Sequence, residues 1–387
     1  MSVTAARGFA ASGVVAGIRR AAPDVALVRS LSPAVGGAVW TTNRVQAAPV
    51  EVSRRHLQLA EPQVVVINAG VANAATGAQG VADAERTAAE TARLCDLRPE
   101  EVVVLSTGVI GVPLPMDRML AGVAAAAAAL SPDGGESAAT AILTTDRGPK
   151  LARVSGPGFT VGGMAKGAGM IHPRLATMLA IVTTDYPLER GEPVELLREA
   201  VDASFNRISV DGECSTNDAV VLLANGAAEV ARDAASDAEF GAALHAVCAA
   251  LARQIVEDGE GATVLLEIRV AGAASDEEAV AVARRVATSP LVKTAAFGRD
   301  PNWGRVLAAA GSAPWNGGFA RLETDRLTVA FDGAKVFEQG TPTGLTPELG
   351  GAAVTIDLDL GLGGGEAAYL ASDLTYDYVR LNAEYTT

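Results

Sequence analysis

The chain has 387 residues, of which 49% are hydrophobic and 20% charged, with a formal net charge of −14. This is the balance of a folded protein with a core to fill, and it excludes a disordered chain. The acidic surplus argues against nucleic acid and anionic membranes as partners, since both call for clustered Lys and Arg. Small molecules or other proteins remain. Aromatics make up only 4%, so the core is expected from Val, Leu, Ala and Ile. Cys95, Cys214 and Cys248 are odd in number and show no CxxC or Cys/His spacing. Neither a disulfide framework nor a zinc site is therefore expected, and a reducing cytoplasmic setting fits. The opening MSVTAARGFAASGVVAGIRR lacks the basic-then-apolar order of a secretory signal, and no run of apolar residues is long enough to span a bilayer.

Read along the chain, DVALVRS (24–30) and GAVWTT (37–42) are predicted strands, and QVVVINAG (63–70) a buried strand stopped by glycine. Residues 81–96 place apolar side chains at helical spacing with charges opposite. EVVVLSTG (101–108) is a second buried strand running into a turn, and the alanine-rich run 121–130 a helix. The tetrapeptides LTTD (143–146) and VTTD (182–185) echo each other at a length that chance explains. Pro193 opens a helix at its first turn, Ser236 and Asp237 are expected to cap a long helix ending at Glu257, and 275–289 carries acids first and arginines last. TVLLEIRV (263–270), VTIDLDLG (354–361) and EAAYLASDL (366–374) read as strands, the last two as a hairpin around a glycine turn. A helix from TYDYVRLNAEY closes the sequence. The whole predicts an α/β or α+β protein with large mixed sheets covered by helices.

Candidate chemistry is sparse. The histidines His56, His172 and His245 form no HExxH or HxH pair, and no GxSxG elbow is present. GGMAKGAG (162–169) lacks the order of a phosphate loop, because Gly167 follows Lys166. GLGGG (361–365) leads into a strand, not a helix, and fails the dinucleotide pattern. One nucleophile needs no partner side chain: an N-terminal threonine, whose own α-amine has a pKa of ~7.7–8.0 and can act as base. Thr177, in RLATMLAIVTTD, stands between the glycine-rich run and an apolar strand. Making it terminal requires cleavage of the bond before it, in a strained, glycine-permitted backbone. The glycines at 162, 163, 167 and 169 offer flexibility, and Lys166 a positive charge nearby. On these residues alone Thr177 reads first as a β-branched residue entering a strand, as most threonines in such a place are. Likewise STND (215–218) reads either as a stretch that positions a site or as a polar turn closing a helix.

KGAGMIHPRLATML, SFNRISVDGECSTNDAV, LVKTAAFGRDPNWGRVLAAAG and the terminal NAEYTT together resemble the ornithine acetyltransferase (glutamate N-acetyltransferase) family of arginine biosynthesis, from about residue 8 to the end. The resemblance implies a precursor that cuts itself between Ala176 and Thr177. Its products, residues 1–176 and 177–387, would stay together as α and β chains in an α2β2 assembly. It implies an α+β fold, a four-layer α-β-β-α sandwich like that of the N-terminal nucleophile hydrolases but with different connectivity. It assigns the nucleophile to Thr177, the oxyanion hole to Thr107 and Gly108, and substrate contacts to Thr144, Lys166, Thr177, Glu260, Asn382 and Thr387. The implied reaction moves an acetyl group from N2-acetylornithine to glutamate through an acetyl-threonine, in the cytoplasm and with no cofactor or metal. The chain departs from the usual pattern at His172, Leu175, Glu213 and Cys214. An N-terminal-nucleophile aminopeptidase or amidase, a secondary-metabolism relative of the acetyltransferase, and a non-catalytic binding protein are the alternatives. Use of acetyl-CoA as a second donor is not legible in the residues.

Overall fold

A computed structural model describes residues 2–20, 22–172 and 178–384. The chain divides into two compact units, one built from Met1–Asn206 and Glu213–Ile255, the other from Arg207–Gly212 and Val256–Tyr385.

The first unit contains, in chain order, β1 (Phe9–Val14), β2 (Val25–Ser30), β3 (Val35–Trp40), α1 (Ala48–Leu59), β4 (Val64–Val71), α2 (Gly77–Cys95) and β5 (Val102–Val109). It continues with α3 (Met116–Ala128), α4 (Gly135–Ala141), β6 (Lys150–Ser155), β7 (Thr160–Lys166), β8 (Leu179–Thr184) and α5 (Glu192–Ala203). After β9 (Ile208–Ser209), which belongs to the second unit, come β10 (Ala219–Ala224) and α6 (Ala234–Glu257). Two sheets result, of order β1-β2-β4-β5 and β3-β10-β8-β7-β6.

Strand alternation explains how the layers stack. In the first sheet Ala26, Val28, Val65, Ile67, Val103 and Leu105 point one way and pack against Ala38, Met164, Leu179, Ile181, Val221 and Leu223 of the second sheet. Their neighbours Val25, Leu27, Val64, Val66, Val102 and Val104 point the other way, onto Ala88 and Ala92 of α2 and Met119 and Val123 of α3. Both faces are thus buried, which is why the strands read as unbroken apolar runs. Burying each such aliphatic side chain is worth about 1.5–3 kcal/mol. On the far side of the second sheet α5 packs against β3 and β10, and α6 presses Val247 and Leu251 against Gly163. The order is helix, sheet, sheet, helix: the expected four-layer α-β-β-α sandwich. The open edge of β5 is covered by α1, where Ser53 Oγ donates to Val104 O and accepts from Val104 N, both at 2.8 Å.

The second unit contains β11 (Leu265–Ala273), α7 (Asp276–Ala287), α8 (Pro290–Phe297), α9 (Trp303–Ala310), β12 (Pro314–Trp315), β13 (Gly318–Phe319), β14 (Thr328–Phe331), β15 (Ala334–Glu338), β16 (Thr341–Pro342), β17 (Ala353–Asp359), β18 (Gly365–Ser372) and α10 (Tyr376–Glu384). Its main sheet runs β16-β15-β14-β17-β11-β18-β9, and its core joins that sheet to α7 and α9.

Three local expectations change. The predicted hairpin of 354–374 does not form: β11 lies between β17 and β18, parallel to the first and antiparallel to the second. The glycine connection crosses over the end of β11 instead, with Leu362 N and Gly363 N donating to Gly272 O. Nor are Gly162 and Gly163 loop residues. They lie in β7, where a Cβ on Gly162 would stand 2.2 Å from Ser2 O and one on Gly163 2.9 Å from Leu251. Close packing, not flexibility, selects them. Helix α6 begins earlier than expected, and its cap is Asp233, whose Oδ1 accepts from Ser236 N at 2.8 Å.

Candidate functional site

Register alone brings three strand ends to one edge of the second sheet of the first unit. Lys166, the last residue of β7, stands opposite Leu179, the first of β8. Ala219, the first of β10, stands opposite Leu179 on its other side. Lys166, Met178 and Asp218 are therefore neighbours at that edge. Asp218 Oδ1 accepts the N–H of Met178 at 2.9 Å, and its main-chain oxygen accepts from Thr41 N at 2.9 Å. The side chain is fully buried. Burial pushes its carboxyl pKa well up, while the Met178 N–H and the charge of Lys166 pull the other way without prevailing. Its second oxygen, Oδ2, is buried with no hydrogen-bond partner among the described residues.

Beside it lies a second buried carboxylate. Asp146 accepts from Lys150 Nζ at 2.5 Å and from Gly167 N at 2.6 Å on Oδ1. On Oδ2 it accepts from Thr144 N at 2.9 Å, and Lys166 Nζ lies 4.0 Å away. Burial alone would raise this carboxyl. The charges of Lys166 and Lys150 and the hydrogen bonds outweigh it and hold the pKa well below the usual carboxylate range. Thr144 is fixed from its other side by Arg19, whose guanidinium donates to the carbonyls of Leu143 and Thr144.

Thr107 and Gly108 close β5 against the end of β4. There Gly70 faces Gly108 and the register shifts at Val71. Gly108 has φ +131°, and a Cβ on it would meet the Gly70 carbonyl carbon at 2.2 Å. Only glycine fits this bulge. The turn is tied to the second sheet by Asn217, whose Nδ2 donates to Ala72 O at 2.7 Å and Ser106 O at 2.9 Å.

The expected residues Thr107, Gly108, Thr144 and Lys166 all belong to the first unit. In the second unit, Glu260 Oε2 accepts from Asn382 Nδ2 at 2.9 Å. Ala176, Thr177 and Thr387 lie outside the described residues. STND leads into β10 and closes no helix. Sequence reasoning missed Asp146 and Lys150, and it singled out Asn217 and Asp218 only as part of STND, without a role for either. A signal existed for Asp146. The two TTD echoes end in buried acids that both accept main-chain N–H groups, for Asp185 accepts from Thr160 N at 2.7 Å and Arg7 N at 3.1 Å.

The layers define an α+β protein of four-layer α-β-β-α architecture in its first unit, with a corner of buried opposite charges at one end of a sheet. Comparison with known sequences is finer: residues 10–387 match the ArgJ family, and the chain belongs to that family. It is 47% identical to the arginine biosynthesis bifunctional protein ArgJ of Symbiobacterium thermophilum, over 100% of this chain and 98% of that protein. The protein of the same name from Streptomyces avermitilis is 46% identical over the full length of both. Among solved structures, ornithine acetyltransferase from Mycobacterium tuberculosis, complexed with ornithine, is 44% identical over 44% of this chain and 94% of that chain, with a TM-score of 0.43. Among the described residues no helix is long and apolar enough to cross a membrane.

Proposed function

We propose that this protein is a self-cleaving glutamate N-acetyltransferase of the ornithine acetyltransferase type, acting in arginine biosynthesis in the cytoplasm. Full-length similarity to proteins named for that pathway supports the reading. The observation that carries it is the buried corner around Asp146 and Lys166, set at the strand edge where β8 begins. An acyl-transfer site needs fixed charge and donors away from water, and such a corner supplies them.

The precursor cuts itself between Ala176 and Thr177, giving residues 1–176 and 177–387, which assemble as α2β2. The Thr177 Oγ attacks the acetyl carbonyl of N2-acetylornithine while its α-amine takes the hydroxyl proton. Thr107 and the Gly108 N–H hold the oxyanion. The amine passes the proton to the departing ornithine nitrogen, leaving Thr177 acetylated. The glutamate amine then attacks that ester, loses its proton to the same base, and leaves as N-acetylglutamate with Thr177 restored. Lys166 takes the substrate carboxylate and Thr144 its polar backbone. Glu260 takes the positive end of ornithine, with Asn382 and Thr387 completing the amino-acid site. No cofactor enters the scheme.

The test is an intact-mass spectrum of the denatured protein beside Thr177→Ala, with transfer from N2-acetylornithine to glutamate assayed on both. Fragments meeting at 176/177 and turnover, both lost in the variant, are expected. A single intact chain in both would sink the reading. The relatives' designation as bifunctional favours a second donor, and N-acetylglutamate formed from acetyl-CoA would establish it.

A further inference from the structure

Two parts of an acyl-transfer site must be held at a fixed separation: the nucleophile and the donors that meet the oxyanion. An error of about 1 Å costs on the order of 10²-fold in rate. In this chain the assigned donors and Met178, the residue that follows the assigned nucleophile, belong to different sheets of the first unit. Thr107 and Gly108 lie at the bulge near the end of β5 of one sheet, and Met178 precedes β8 of the other.

One dipeptide reaches both. Asn217 Nδ2 donates to Ser106 O at 2.9 Å, the residue before the turn, and to Ala72 O at 2.7 Å, on the chain leaving the facing strand β4. Next to it, Asp218 Oδ1 accepts the Met178 N–H at 2.9 Å. Both side chains are buried. Their backbone is fixed in turn, because Thr216 O accepts from Ala47 N at 3.0 Å and Asp218 O from Thr41 N at 2.9 Å. Immediately after Asp218 the chain becomes β10, parallel to β8 from the first residue. A dipeptide rooted in the sheet thus holds the oxyanion turn with one side chain and the nucleophile's neighbour with the other.

We propose that Asn217 and Asp218 are a positioning pair that sets the distance between the Thr177 nucleophile and the Thr107–Gly108 donors. The inference rests on the acetyltransferase reading above. Neither residue touches substrate in this role. Asp218 acts through the direction of one main-chain N–H and Asn217 through two carbonyls. Asparagine at this position keeps the Oδ1 acceptor at the same distance from the main chain, whereas glutamate moves it by one methylene.

The experiment measures kcat and KM for acetyl transfer from N2-acetylornithine to glutamate, the extent of self-cleavage, and melting temperature. The proteins are wild type, Asn217→Ala, Asp218→Ala, Asp218→Asn and Asp218→Glu. The alanine and glutamate variants should lose about 10²-fold in kcat, or fail to cleave while melting as wild type does, with KM within about threefold. Asp218→Asn should stay within about tenfold of wild type. Full activity in the alanine variants would overturn the proposal. So would a loss confined to KM, or activity kept by glutamate and lost by asparagine, which would mark a charge role. Where an alanine variant does not fold, the Asn-against-Glu contrast decides. A wild type without turnover would refute the acetyltransferase reading itself, a result separate from all of these.

Discussion

Asp146 and Lys150 form an ion pair of 2.5 Å in which the carboxylate is wholly buried and the ammonium nearly so. Neither charge could stay in such a place alone. The carboxylate is also 4.0 Å from Lys166, so one acid faces two buried lysines.

Removing the acid should therefore be severe. Asp146→Ala takes the carboxylate away from Lys150 and Lys166, and breaking a buried pair costs about 3–5 kcal/mol. Urea denaturation should show a loss of this size, and acetyl transfer should fall with it. Activity and midpoint both unchanged would contradict the arrangement.

The same carboxyl makes the first unit sensitive to acid. Its folded pKa is depressed below that of the unfolded chain. Its stabilising contribution is thus complete above the unfolded value of about 3.9 and is lost as pH falls toward the folded value. Melting temperature should drop more steeply below about pH 4 in wild type than in Asp146→Asn. Parallel curves would show that Asp146 is not the group responsible.

Lys166→Met keeps most of the side chain's length and removes its charge. A hydrogen bond to a charged group is worth about 1.5–3 kcal/mol, so KM for N2-acetylornithine should rise roughly 10- to 100-fold. Steady-state kinetics would reveal this, and an unchanged KM would remove Lys166 from the carboxylate site.

Gly108→Ala meets two obstacles, a φ of +131° and a Cβ 2.2 Å from the Gly70 carbonyl carbon. Strain of this kind costs on the order of 1–3 kcal/mol. Both melting temperature and self-cleavage should fall. A cleaved, fully active alanine variant would show that the bulge is not needed for the chemistry.

In the second unit, burial pushes the Lys293 ammonium down to about 8, although Asp373 and Asp211 oppose it. Its folded pKa lies below the unfolded value of about 10.4, so the unfolded chain binds more protons between these limits. The cost of burying the lysine is greatest below pH 8 and relaxes as pH rises toward 10. The stability of wild type relative to Lys293→Met should increase over that window in calorimetry. A constant difference would mean that Lys293 does not titrate there.

The sequence by itself determined where the buried strands lie. VVVIN and VVVLS could not face water on either side, and the Gly70 and Gly108 that end them mark the positions where a side chain has no room. It also carried the family motifs, whose length and order leave little freedom. It could not tell which strands become neighbours. The pair 354–374 has every local mark of a hairpin, yet β11 lies between its arms, because pairing is decided by which apolar faces share a core and not by chain proximity. The glycines of β7 looked flexible for a similar reason: the α6 side chains and the Ser2 carbonyl that demand their smallness are distant in sequence. STND stood out only as a stretch, and Asp146 and Lys150 not at all, because the roles of these residues and of Asn217 and Asp218 depend on partners distant in sequence. A buried charge or amide is tolerable only when a specific donor or acceptor stands within about 3 Å, and only the packed sheets bring those partners that close.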